Sequence, residues 1–330
     1  MSCVLITGGA GYIGSHAVYA FLDAGHDVVV IDDLSTGVRA NLPANVPFYE
    51  GSVADRALVA RIVEERRPSG VLHFAGSVVV PESVVNPAKY YRNNTSASLE
   101  LADVLLANGV RHIVFSSTAA VYGIPERIPV TETAPLRPIN PYGWSKLFVE
   151  RLLTDMAAAH SLSVGILRYF NVAGADPKGR IGQSTPQATH LIKVACQVAA
   201  GERDGMSVFG TDYATPDGTC VRDYIHVTDL ARAHVAVYEH MRSRNESVLF
   251  NCGNGRGYSV LEVIRAVEKA SGRPLAHKLD ARRAGDPPAL IADPSALLSA
   301  LSWRAEYDLD AMVRTALAWE RGAHRAQPPA

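Results

Sequence analysis

Short apolar runs alternate with helical patterns through the first 170 residues, the rhythm of a parallel sheet covered on both faces. Strands are expected at Cys3–Thr7, Asp27–Ile31, Val46–Tyr49, Gly70–Phe74, His112–Ser116 and Val164–Tyr169. Their Val, Ile and Leu content, without strict alternation, fits strands buried on both sides. A helix is expected over Ser96–Ala107, ended by Asn108-Gly109. After Asn171 the texture changes, and residues 173–187 read as a long loop. A helix near Ala188–Ala200, a turn-rich stretch from Gly201 to Gly218, a strand at Leu249–Asn251 and a helix at Ser259–Ser271 follow. A loop at Arg282–Pro288 and a terminal helix near Leu309–Arg321 complete the chain. The fold class expected is α/β: a doubly wound parallel sheet of the Rossmann type with a smaller mixed α/β C-terminal domain.

The length of 330 residues suits one large α/β domain plus a smaller lobe. A net charge of -1 gives no bulk attraction to nucleic acid or to an anionic membrane, but allows a local patch for a small anion. Cys3, Cys196, Cys220 and Cys252 are scattered without a CxxC pair, which points to free thiols in a reducing compartment. No apolar segment has the length of a bilayer span, and the first residues run straight into a strand and a glycine turn instead of a secretory signal. Cytoplasm is the expected location. His226 and His234 flank a helical-looking stretch, yet eight-residue spacing makes no chelating pair. Asp223 and Asp229 lie in ordinary loop and cap contexts, and no metal is expected.

The first strand runs into Gly8-Gly9-Ala10-Gly11-Tyr12-Ile13-Gly14 and then a helical pattern to Ala24. Such a turn, free of side chains, lets a pyrophosphate approach the unpaired N–H groups of a helix N-terminus. Asp32 closes the second strand, where a carboxylate hydrogen-bonds adenosine ribose hydroxyls. Asp33 adds a second negative charge that would repel the extra phosphate of NADP, so NAD is the expected cofactor.

Tyr142 and Lys146 form a Tyr-x-x-x-Lys element whose spacing puts both on one helix face, after the capping pair Asn140-Pro141. Phenol is a weak base at neutral pH, but an ammonium and a positive nicotinamide ring both favour phenolate. Lowering the pKa by about three units takes roughly 4 kcal/mol. With 13 tyrosines the spacing also arises by chance, so its weight comes from its place after the fifth strand. Phe115-Ser116-Ser117-Thr118 ends that strand, at the edge where open α/β sheets bind ligands. There Thr118 could relay a proton between substrate and Tyr142.

Taken together, Thr7–Gly14 (TGGAGYIG), His73–Gly76 (HFAG), Phe115–Gly123 (FSSTAAVYG), Pro141–Lys146 (PYGWSK), Arg168–Asn171 (RYFN) and Val221–Val227 (VRDYIHV) resemble the extended short-chain dehydrogenase/reductase family. The nearest branch is that of the UDP-glucose (UDP-galactose) 4-epimerases. The resemblance covers nearly the whole chain, with the elements in the family's order. It implies that Tyr142 is the base, Lys146 its electrostatic partner and ribose ligand, and Thr118 the hydroxyl that is more often serine. It places Gly8, Gly11, Tyr12, Ile13, Gly14, Asp32, Asp33, Leu34, Ser35, Thr36, Gly37, Ser52, Val53, Phe74, Ala75, Gly76, Asn93 and Phe170 at cofactor-contacting positions. Asn171, Arg222, Arg283 and Asp286 match substrate-contacting positions, where guanidinium forks suit a diphosphate. The division implied is residues 1–170 with about 225–255 for NAD, and 171–224 with about 256–330 for a nucleotide sugar. A homodimer is implied as well.

Three positions depart from the family. Ser52 stands where an aspartate often holds adenine, Val78 replaces a lysine near the nicotinamide end, and Leu290 occupies a site where bulk gates N-acetylated sugars. The activity implied is an inversion at sugar carbon 4. Tyr142, directly or through Thr118, takes the 4-hydroxyl proton while hydride passes to NAD; the keto sugar turns, and both return. Dehydratases and decarboxylases of the same fold carry acidic residues after the threonine, whereas Ala119 and Ala120 transfer no proton. Epimerases of other UDP sugars, including UDP-N-acetylglucosamine and UDP-xylose, and a non-catalytic NAD-binding regulator are the remaining readings.

Overall fold

The structure is a computed structural model describing residues 2–185, 189–283 and 286–322. Along the first half run β1 (Cys3–Thr7), α1 (Tyr12–Asp23), β2 (Asp27–Asp32), β3 (Phe48–Glu50), α2 (Arg56–Arg66) and β4 (Gly70–His73). Next come α3 (Val80–Val85), α4 (Pro87–Tyr90), a π-helical turn (Tyr91–Ser96), α5 (Ala97–Ala107), β5 (His112–Ser116) and a 3-10 turn (Ala119–Tyr122). Then follow α6 (Pro141–Ala159), β6 (Ser163–Tyr169), β7 (Asn171–Ala173), α7 (Leu191–Ala200), β8 (Met206–Phe209), β9 (Val221–His226), α8 (Val227–Arg244) and β10 (Val248–Cys252). The chain continues through β11 (Gly257–Ser259), α9 (Val260–Ser271), β12 (His277–Asp280), β13 (Ala289–Leu290), α10 (Ser295–Ala300) and α11 (Leu309–Gly322).

Seven strands form one parallel sheet in the order β10-β6-β5-β4-β1-β2-β3. Its apolar runs face two cores. One gathers Val4, Ile6, Phe21, Leu72 and Val237 under α1 and α8; the other gathers Leu5, Ile31, Leu101, Phe115 and Val149 under α2, α5 and α6. Burial on both faces explains why these strands lack alternation. Close approach of α8 requires Gly165 in β6, where a Cβ would stand 2.6 Å from Val237 Cγ1. Strand order reverses at β1, so the turns after β1, β4 and β5 share one carboxyl edge, where such sheets bind ligands.

A second, smaller sheet sets β9 between β11 and β13, with β7 also paired to β9. It packs with α7, α9 and α11 around Ile192, Val263, Met312 and Leu317. Lys193 on α7 donates to both Glu320 oxygens on α11 at 2.7 and 2.8 Å, a buried pair pinning those helices together.

Several expected elements shift. The third strand begins at Phe48, not Val46, because Pro47 has no N–H to give a ladder. The helix expected from Ser96 is the end of a longer helical run from Pro87, interrupted by the π turn. The stretch from Gly201 to Gly218 contains β8, which pairs with β12 in a two-stranded sheet and takes its order from that partner. Likewise Asn171–Ala173, at the head of the expected loop, becomes a strand by pairing with β9. The seventh helix starts at Leu191; Ala188, where it was expected to begin, lies outside the described residues, as do Ala284 and Gly285 of the Arg282–Pro288 loop. Among the described residues no helix is long and apolar enough to cross a membrane.

Candidate active site

The glycine turn leaves β1 and enters α1 with no room for side chains. Gly8 has φ +65°, and a Cβ there would stand 2.6 Å from the Ala75 nitrogen; a Cβ at Gly14 would collide with the Gly8 carbonyl oxygen. Gly11 caps α1 without a side-chain hydrogen bond, and the first turn holds no acidic residue. The unpaired N–H groups and positive helix end therefore remain suited to an anion. Asp32 is buried at the end of β2, with Oδ2 accepting from Ala10 N–H at 2.9 Å and Oδ1 from Leu34 N–H at 2.8 Å. Each oxygen keeps a lone pair for a ribose hydroxyl. Burial lifts this carboxyl above its usual value, while the backbone donors hold it down. Leu34 has φ 57°, a left-handed conformation rare outside glycine, so the loop from Asp33 to Gly37 is bent around Asp32. These features fit a dinucleotide.

On α6, Asn140 caps the helix through Oδ1, which accepts from Gly143 N–H at 2.8 Å. Tyr142 and Lys146 both face the carboxyl edge of the sheet, and both are buried. Lys146 Nζ donates to the Ser116 carbonyl at 3.0 Å and sits 4.9 Å over the Phe115 ring. Burial pushes its pKa down to about 8, and Glu150 pulls it up. Thr118 Oγ1 accepts from Ala120 N–H at 3.1 Å, which frees its own proton for Tyr142. Burial raises the Tyr142 phenol and the Thr118 hydrogen bond pulls it down, with a net shift upward. The Lys146 ammonium is turned to a carbonyl and a ring face on β5, and burial sets the direction of the shift at Tyr142.

The π turn brings two asparagines to this place, as π turns often do at functional sites. Asn94 donates to the Ser77 carbonyl at 3.0 Å and to Ser145 Oγ at 2.9 Å, and accepts from Ser77 N–H at 2.7 Å. It thereby joins the loop after β4 to the residue between Tyr142 and Lys146. Asn93 donates to Ser77 Oγ at 2.9 Å. His73 bridges Ser98 Oγ at 2.7 Å and Thr7 Oγ1 at 2.8 Å, and burial with the nearby Lys146 pushes it down to about 3.

The expected substrate positions come together on the second lobe. Arg222 on β9 donates to the Pro287 carbonyl at 2.7 Å and pairs with Asp286 at 3.5 Å. Arg283 lies 3.7 Å over the Phe209 ring. Asn171 and Tyr224 are register partners in β7 and β9. Leu290 is the register partner of Arg222 and packs with Tyr122 and Phe170 beside the 3-10 turn.

A model of the NAD dependent epimerase/dehydratase family matches residues 4–253. A UDP-glucose 4-epimerase of Azospirillum brasilense is 56% identical over 324 residues, covering 98% of this chain and 93% of that protein. The chain belongs to this family. Among solved structures, a UDP-glucose-4-epimerase from Stenotrophomonas maltophila with bound NAD and formylated UDP-arabinopyranose superposes with TM-score 0.95 at 40% identity, covering 99% of this chain and 100% of that one. One from Bifidobacterium longum, in complex with NAD+ and UDP, has TM-score 0.93 at 42% identity, covering 97% and 98%.

Within this family member the remaining expected positions are placed as follows. Tyr12 and Ile13 open α1, and the Tyr12 hydroxyl donates to the Gly174 carbonyl at 2.6 Å, tying the glycine turn to the strand end after β7. Asp33 Oδ1 accepts from Ser35 N–H at 3.0 Å, shaping the loop through Thr36. Ser52 is exposed and its Oγ accepts from Ala54 N–H at 3.2 Å, while Val53 is buried. Phe74 packs on His234, ring centroids 4.7 Å apart. At Gly76 a Cβ would stand 3.0 Å from Asn94 Oδ1 and 3.7 Å from Lys146 Nζ, so this residue adjoins the dyad. Asp223 accepts from the N–H groups of Asn254, Gly255 and Ala292, and Asp229 from those of Glu306 and Tyr307. Residues that sequence reasoning passed over are Asn94, Phe209 and Glu150. For Glu150 the signal was available: it lies four positions after Lys146.

Proposed function

We propose that this chain interconverts UDP-glucose and UDP-galactose by inverting carbon 4, with NAD held by the glycine turn. One observation carries the reading. Thr118, Tyr142 and Lys146 meet at the same sheet edge as the turn of Gly8, Gly11 and Gly14, and the residues after Thr118 are Ala119 and Ala120. When bound, the nicotinamide would supply a hydride acceptor and donor for carbon 4. Tyr142 then moves the proton of the 4-hydroxyl, with Thr118 donating to the phenolate. Lys146, fixed by Ser116 and Phe115, would hold the ribose hydroxyls and keeps positive charge in the site. Arg222, Arg283 and Asp286 hold the uridine diphosphate while the sugar pocket stays loose enough for the keto sugar to turn. The relatives named above, solved with NAD and with UDP or a UDP sugar, support the assignment.

The test is a panel of UDP sugars, with and without an N-acetyl group, assayed by product separation. Turnover of UDP-glucose and UDP-galactose is expected. Turnover confined to N-acetylated sugars or to pentoses would redirect the substrate assignment, and bound NAD without any turnover would leave a regulator.

The NAD half is assigned to residues 1–170 with about 225–255, supported by the membership of β10 in the seven-stranded sheet. The sugar half takes 171–224 and about 256–330. A homodimer is proposed from an exposed aromatic stripe. Trp144 and Phe148, one turn apart on α6, are 38% and 44% exposed, and Tyr91 packs on Phe148 with centroids 5.9 Å apart. Light scattering of the wild type and of Phe148→Glu tests it. The four free cysteines support a cytoplasmic location.

A further inference from the structure

The reacting groups ride on two elements: Thr118 follows β5, whereas Tyr142 and Lys146 stand on α6. Beneath them a hydroxyl and a carboxylate join the two. Glu150, one turn beyond Lys146 and 4% exposed, accepts through Oε1 from Ser117 Oγ at 2.5 Å and from Arg168 Nε at 3.0 Å. Its Oε2 accepts from Arg168 Nη2 at 2.6 Å. Arg168 Nη1 reaches the Tyr122 hydroxyl at 3.0 Å and the Glu132 carbonyl at 3.2 Å, and Tyr122 donates to Asn251 Oδ1 at 2.7 Å. Desolvation offsets much of the Coulombic gain of a buried ion pair, so stability alone is a weak reason for placing one here.

We infer that Glu150, braced by Arg168, is a positioning residue that clamps Ser117, and with it the adjacent Thr118, to the helix bearing Tyr142 and Lys146. The clamp sets the distance between hydroxyl and phenol over which the proton moves, and this inference rests on the 4-epimerase reading. The same carboxylate faces Lys146 from within α6 and favours its charged form. Around that ammonium stand the neutral His73 imidazole from β4, the Ser116 carbonyl and Phe115 ring from β5, and Asn94 from the π turn; Arg168 on β6 holds Glu150.

Two variants test the clamp. Ser117→Ala removes one donor and leaves the Glu150–Arg168 pair in place, so the protein folds. Its kcat for UDP-glucose is expected to fall about tenfold, within the range that small misplacements cost, while KM, bound NAD and Tm stay near wild type. Glu150→Gln keeps the shape and removes the charge. In it the Lys146 titration, followed by carbon-13 NMR of labelled lysines and assigned with Lys146→Met, is expected to move below its wild-type midpoint of about 8. Unchanged kcat in Ser117→Ala overturns the clamp, and so does a fall in kcat that merely parallels losses of Tm and NAD. Should Glu150→Gln fail to fold, the Ser117→Ala comparison decides alone. A wild type inactive on every UDP sugar sinks the epimerase reading instead. A crystal structure of Ser117→Ala, read without substrate, then still judges the clamp: a shift of Thr118 relative to Tyr142 is expected, and an unmoved Thr118 overturns it.

Discussion

The ammonium of Lys146 donates to the carbonyl of Ser116 at 3.0 Å, so the residue two before Thr118 fixes the cation of the dyad. This contact gives Lys146 one orientation in a buried site and leaves its other hydrogens for a ribose. Lys146→Met is expected to lower kcat about a hundredfold, the scale of lost electrostatic stabilisation at a reacting centre, and to reduce bound NAD. Lys146→Arg is not expected to rescue, because a planar fork cannot take the place of a point charge between a carbonyl and a ring face. Turnover assays with NAD quantified by absorbance after denaturation check both.

Tyr142 is the base proposed for the proton transfer. Tyr142→Phe is expected to cost at least about a hundredfold in kcat, with NAD retained. The Thr118 hydroxyl pulls the Tyr142 pKa down against burial, so Thr118→Ala is expected to cost about tenfold and Thr118→Ser much less. Near-normal turnover in Tyr142→Phe would reject the assigned base.

Arg222 and Asp286 meet only through folding, since 64 positions separate them in sequence while their charges stand 3.5 Å apart. Removing a guanidinium from a diphosphate site loses a charge-assisted bond of about 1.5–3 kcal/mol. Arg222→Met is therefore expected to raise KM for the UDP sugar at least about tenfold, with a smaller change in kcat. A KM that stays put while kcat collapses would move Arg222 from substrate binding to chemistry.

The first half of the molecule was legible because its signals are local. Strand β1, the glycine turn and Asp32 are contiguous or one element apart, and apolar runs mark strands buried on both faces. Elements whose order depends on a distant partner were not. Strand β8 exists through β12, and β7 through β9, across tens of residues of intervening chain. The π turn that aims Asn94 at Ser145 leaves no mark in a run such as Asn93-Asn94-Thr95-Ser96, because its extra residue per turn is set by packing against α6. Phe209 under Arg283 was hidden for the same reason. Glu150 and Arg168 were visible as residues, but their pairing beneath the dyad becomes apparent only when β6 lies beside α6.

Buried histidines make the fold acid-sensitive. His73 and His226 are pushed down to about 3, and His16 and His234 to about 4, each chiefly by burial. The native chain therefore binds fewer protons than the unfolded one between those values and the unfolded pKa of about 6.5. Their contribution to stability is complete above that pH and is lost as the pH falls. One unit below it, each imidazole costs about 1.4 kcal/mol. Asp223 and Asp229 act in the opposite sense. Burial raises both to about 6, so the native state takes up protons first and gains stability as the pH drops through that value. Two such carboxyls offset only part of four imidazoles. Urea midpoints are expected to fall steadily from pH 7 to pH 5, and His234→Gln, which cannot protonate, is expected to flatten the slope. A midpoint that holds or rises over that range would show that the carboxyls, not the histidines, govern the acid limb.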